Sequence, residues 1–134
     1  MKNQAKWRRV MTVSLGQKTF NFGLKVPAEK AAGAEATIRD HAKWMRETHS
    51  YDNSKIQLEH YYVSKSDEMV NPAAPEEGTT GNVLFTINEV YVQPEGIGQH
   101  MKAGQHWPHF QSFMEVLTTY GDILVLNGDV IESL

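Results

Sequence analysis

Residues 83 to 92, VLFTINEVYV, constrain the fold more than any other stretch of the chain. They are rich in β-branched and aromatic side chains and contain neither proline nor glycine, which is the signature of a strand. Val83, Phe85, Ile87, Glu89 and Tyr91 alternate with Leu84, Thr86, Asn88, Val90 and Val92. Both rows are largely apolar, so this strand belongs inside a sheet with cover on both faces. Glu89 and Asn88 are the polar exceptions, and in such rows they must be hydrogen-bonded or functional.

The rest of the chain supplies partners for that strand. Phe20, Phe22, Leu24 and Val26 alternate within 19 to 26, and a β-rich segment over 9 to 15 precedes them across Gly16-Gln17 as a hairpin or short arm. After Pro27 the period changes. Ala31, Ala34, Ile38, Ala42 and Met45 form one helical stripe between Ala28 and Thr48, with His41 and Trp44 at its rim. The polar cluster Ser50 to Ser54 ends that helix. Residues 55 to 65 read as a strand with Ile56, Leu58, His60 and Tyr62 on one face and Gln57, Glu59, Tyr61 and Val63 on the other. A proline- and glycine-bearing loop over 66 to 82 leads into the central strand. Helical pieces follow from about Glu95 to Lys102 and from Pro108 to Thr119, the second with Phe110, Phe113, Met114 and Leu117 as its core stripe. A strand from Asp122 to Leu126 and a turn at Asn127-Gly128 into a short strand, Val130 to Leu134, close the chain.

The order is (arm) βαββαβ. It predicts an α+β, ferredoxin-like sandwich with two helices on one face of a four-stranded antiparallel sheet, formed by one domain over 19 to 134 after an arm over 1 to 18. Two helices cover one face only, so a second copy packing sheet to sheet is expected, making a homodimer.

The chain has 134 residues and a formal net charge of −3. That balance offers no basic field for a phosphate backbone and argues against nucleic acid as a partner. There are no cysteines, which excludes disulfides, thiolate metal sites and cysteine nucleophiles. Lys2, Lys6, Arg8 and Arg9 make the beginning basic, but it lacks the apolar run of a secretory signal, and no stretch approaches the ~20 apolar residues of a membrane span. The expectation is a soluble cytoplasmic protein with no membrane partner.

From Phe85 to Phe113 the sequence reads FTINEVYVQPEGIGQHMKAGQHWPHFQSF. Glu89 and Tyr91 stand as Glu-x-Tyr on the strand, His100 follows, and His109-Phe110 with Phe113 comes after it. This order resembles the antibiotic-biosynthesis-monooxygenase-like group of dimeric α/β barrels. His100 and His109 stand farther apart than in that group, so either Gly104 to Trp107 are an insertion or His106 takes the place of the second histidine. The resemblance implies a pocket between sheet and helices for a small hydrophobic or aromatic molecule, and it is divided over activity. Some of that group oxygenate aromatic polyketides or quinols without metal or prosthetic group, which is the expectation here, some degrade haem, some isomerise small signalling molecules, and many have no known activity. A non-catalytic dimeric binding or stress-response protein of the same fold is the alternative.

Removing a proton from a flat, electron-rich substrate calls for a base near neutral pKa and donors for the resulting oxyanion. His100 is the candidate base, with His109 or Tyr91 polarising the substrate. Trp107, Trp44 and Phe110 are candidates to pack on it, and Asn88, Glu89 and His60 to line the pocket. His106 and His109, joined by His100 or Glu89, are the competing metal set. Pro108 between them weakens the case for one shared helical face, and the expectation is no metal and no cofactor. No Gly-rich phosphate loop and no Gly-x-Ser-x-Gly elbow is present.

Overall fold

A computed structural model describes residues 12 to 134. The arm expected over 1 to 18 lies mostly outside the described residues. Within them, Gly16 adopts φ 85° in a turn, and Ser14 donates its backbone N–H to the Gln17 side chain. No strand forms between residue 12 and β1 (Lys18–Pro27).

The chain runs directly from β1 into α1 (Ala28–Thr48). Pro27 precedes the helix, Glu29 sits in its first turn and Arg46 in its last, each charge opposing the nearer end of the helix dipole. The buried arc of α1 is Ala34, Ile38, His41, Trp44 and Met45. His41 and Trp44 are therefore core residues rather than rim, at 2% and 6% exposure. Next come β2 (His49–Ser50), β3 (Ile56–Met69), a short 3-10 turn (Pro75–Glu77) and β4 (Thr79–Tyr91). Then follow α2 (Gly96–Gly104), α3 (Phe110–Tyr120) and β5 (Gly121–Asp129).

The chain is α+β, but the simple ferredoxin-like βαββαβ sandwich, and the dimeric α/β barrel built on it, are overturned. Among the described residues the sheet is mixed, has five strands in the order β2-β3-β4-β1-β5, and carries three helices. The extra strand arises at the end of α1, where His49 and Ser50 pair in parallel with Ile56 and Gln57 instead of turning away. The two helical pieces expected after the central strand are two separate helices rather than the single one that the four-stranded sandwich requires, and Pro108 between them lacks the N–H needed to continue one helix. At the carboxyl end β5 runs through Asn127-Gly128 as a bulged strand against β1, with Asn127 at φ 52°, and residues 130 to 134 form no strand.

All three helices pack on one face of the sheet. That face carries Phe20, Phe22, Leu24 and Val26 from β1 and Phe85, Ile87, Glu89 and Tyr91 from β4, all buried. Cross-strand register defines the opposite face, where Tyr62, Asn88, Asn21 and Val125 lie in one row. Asn21 Nδ2 donates to Asn88 Oδ1 there at 3.0 Å, and Ser64 and Thr86 hydroxyls meet in the neighbouring row. No helix covers this face among the described residues. The alternation of β3 breaks at Glu59, where a bulge lets Leu58 oppose Tyr91 while His60 opposes Val90. Leu58 and Tyr61 consequently both face the helices, whereas His60 and Tyr62 face the open side. No helix among the described residues is long and apolar enough to cross a membrane.

Candidate functional site

Behind the helices lies a buried polar cluster drawn from five elements. His41 and Trp44 come from α1, His49 from β2, Tyr61 from β3, Glu89 and Tyr91 from β4, and His100 from α2. Gly96, at the start of α2, rests on the Tyr91 ring so closely that an added Cβ would stand 2.8 Å from Cδ2. Only glycine permits this approach, which fixes Tyr91 beneath the helix that carries His100.

The hydrogen bonds form a chain whose proton positions follow from donor counting. Thr48 donates its hydroxyl to the Trp44 carbonyl at 2.8 Å, so its oxygen accepts from His49 Nδ1 at 2.7 Å. The neutral His49 ring is then left with Nε2 as an acceptor, and His100 Nδ1 donates to it at 3.1 Å. His100 Nε2 keeps its lone pair and stands 3.7 Å from Glu89 Oε1. Tyr91 donates to that same Oε1 at 2.6 Å. His41 Nδ1 and the Tyr61 hydroxyl pair at 3.0 Å. Glu89 Oε2 is buried and has no hydrogen-bond partner among the described residues.

Burial dominates the electrostatics. It holds all three histidines in the neutral form, lowering His49 to about 4 and His100 to about 3 and taking His41 well below its ordinary value. Burial also raises the Glu89 carboxyl to about 8, against the lowering effect of the Tyr91 hydrogen bond. The phenols of Tyr61 and Tyr91 are pushed up by burial and by the neighbouring Glu89 charge.

Aromatic rings wall the cluster. Trp44 stacks on Trp107 with centroids 5.3 Å apart, and His41 lies parallel to Phe113 at 4.2 Å. The space expected to take a substrate, between His100, Trp107 and Phe110, contains a void of only about 30 Å³. That volume admits a water molecule and no organic substrate. A groove of about 290 Å³ instead opens between the last turns of α1 and β3, where Met45, Arg46, His49, Tyr51, Leu58 and Tyr61 line it. A second space of about 340 Å³ shares Ala42, Arg46 and Tyr61 with it and extends past Arg39 and Lys65.

Of the residues singled out by sequence, His100, Tyr91, Glu89, Trp44 and Trp107 are brought together, and Phe110 borders the small void. The other three stand elsewhere. His109 is exposed before α3 and pairs with Asp40 at 2.6 Å. Asn88 and His60 face the open side of the sheet. His106 is exposed as well, and it joins no ligand cluster among the described residues. Sequence reasoning missed His49 entirely and placed Tyr61 on a strand face without a role. Among the described residues the one group able to hold a metal is His41, Glu89 and His100, whose ligand atoms all lie within 4.8 Å of one another. No family model matches the chain, and no curated protein does.

Proposed function

We propose that the protein acts on a small hydrophobic or aromatic molecule held in the groove between α1 and β3, with monooxygenase-like chemistry. One observation carries this reading. His49 and Tyr61, which form the inner wall of the groove, also hydrogen-bond His100 and His41 of the buried cluster. A bound molecule would rest its apolar body on Met45 and Leu58 and present a hydroxyl or carbonyl to Tyr61 and Arg46, with the His49 ring behind them as wall. The order Glu89, Tyr91, His100, in which the chain resembles the monooxygenase-like group, supports the chemistry. Such a reaction uses dioxygen and a substrate methylene activated by aromatic hydroxyls. The methylene becomes a carbonyl, one oxygen atom enters it, and the other leaves as water with the two hydrogens.

The test is oxygen uptake and product mass over a panel of phenols, quinols and anthrone-like compounds. Turnover that drops about 100-fold or more in both Tyr61→Phe and His49→Ala supports the reading, on the scale of lost positioning groups. Retention of a panel compound without turnover would mark a binding protein. Turnover unchanged in both variants would remove the groove from the chemistry.

The same reading takes the protein as a homodimer through the open sheet face. Tyr62, Leu124 and Val125 are exposed there, and the buried Nδ1 of His60 on that face has no hydrogen-bond partner among the described residues. Val125→Asp is expected to shift sedimentation from dimer to monomer without unfolding the chain. A wild-type protein that sediments as a monomer at high micromolar concentration would refute the dimer.

A further inference from the structure

We infer that His41, Glu89 and His100 form a binding site for one divalent transition-metal ion. The inference shares the buried cluster with the proposed function but needs no turnover. Two imidazoles and one carboxylate converge from α1, α2 and β4 with their ligand atoms within 4.8 Å of one another. Metal–ligand bonds of about 2.0 to 2.2 Å would draw them closer by roughly 1 Å. This donor set suits zinc or iron, and the carboxylate offsets one of the two charges of a buried dication.

A second observation points to a missing ligand. Glu89 is fully buried, and its Oε2 meets no donor among the described residues. An unsatisfied carboxyl oxygen in the core is costly, and a cation is one of the few groups that can satisfy it there.

The surroundings fit as well. Each of the three side chains is held from behind by a hydrogen bond on an atom that can be spared. Tyr61 holds His41 Nδ1, His49 holds His100 Nδ1, and Tyr91 holds Glu89 Oε1. Outer partners of this kind fix ring orientation and leave the second nitrogen for the metal. The void of about 30 Å³ against His41 and His100 leaves room for one water as a further ligand. The exposed His106 and His109 belong to no such ligand group among the described residues, and His109 meets only Asp40 at the surface.

The full chain, stripped with a chelator and dialysed, is titrated with Co²⁺ and Zn²⁺. The expected result is one Co²⁺ per chain with a visible absorption band, and a rise in Tm with Zn²⁺. Affinity should fall at least tenfold in His41→Ala and Glu89→Gln, fall about tenfold in Tyr91→Phe, and stay unchanged in His109→Ala. Ring resonances of the unsubstituted protein cover the case in which a core variant fails to fold. Zn²⁺ should shift those of His41 and His100 strongly, and those of His106 and His109 not at all. Absence of binding at 100 µM metal, or shifts confined to His106 and His109, overturns the site. Compound retention in the groove by metal-free protein separates failure here from failure of the proposed function.

Discussion

Trp44→Ala is expected to lower the free energy of unfolding by about 3 to 5 kcal/mol, a large share of the roughly 5 to 15 kcal/mol available to a domain of this kind. Trp44 is the hub of the aromatic wall. Its ring lies 5.3 Å from Trp107, 5.4 Å from His100, 5.5 Å from His49 and 5.6 Å from His41, centroid to centroid. Truncation removes these contacts and leaves a cavity beside the small void at Gly104 and Trp107, with rigid helices on either side. A cavity lined by rings and unable to collapse should take indole, and free indole binds the folded state only, so it should restore stability as its concentration rises. Urea unfolding with and without indole is the measurement. A loss below about 1 kcal/mol would mean that the wall repacks. A full loss without indole rescue would mean that the site collapses instead of staying open.

The parts of the site legible in the sequence are those set by local period. Alternation in 83 to 92 puts Glu89 and Tyr91 in one row, and the structure buries both on the helix side. The same alternation sends Asn88 to the opposite face, where it bonds Asn21 and not the site. The helix from Ala28 to Thr48 is legible because Pro27 precedes it and polar residues follow it. Its buried arc proved wider than the apolar stripe, because His41 finds partners in Tyr61 and Phe113 that no helical period can announce. Tyr61 itself reaches His41 only through the bulge at Glu59, a one-residue insertion that reverses the faces of β3. His49 was hidden for a different reason. It sits in a two-residue strand, and its partner His100 is 51 residues away, so no local pattern registers it. The five-stranded mixed sheet escaped for that reason also, since two residues of parallel pairing leave no periodic trace.

In the metal-free protein, stability plotted against pH should rise to a maximum near pH 6.5 to 7 and then fall toward pH 8. Two opposed linkages produce this shape. His41, His49 and His100 are neutral when folded, with His49 near 4 and His100 near 3, against 6.5 for an unperturbed ring. Below about pH 6.5 the unfolded chain takes up protons that the folded chain refuses, so the stability present above that pH is lost on acidification. Glu89 works in the other direction. Its carboxyl stays protonated up to about 8 when folded, against 4.5 unperturbed, so its contribution is complete below pH 4.5 and is lost as pH rises through 8. Between pH 4.5 and 6.5 three histidines outweigh one carboxyl and stability climbs. Between 6.5 and 8 Glu89 acts alone and stability declines, with a slope on the order of 1 kcal/mol per pH unit. Tyr61 and Tyr91, whose phenols burial raises further, stay protonated in both states and add nothing. Glu89→Gln keeps an acceptor for the Tyr91 hydroxyl and removes the titration, so it should flatten the limb above pH 6.5 and leave the acid limb intact. Urea midpoints at pH 5, 6.5 and 8 for both proteins decide it. A wild-type limb as flat as that of the variant would show Glu89 already ionised in the core of the metal-free protein, and with it a water partner for Oε2.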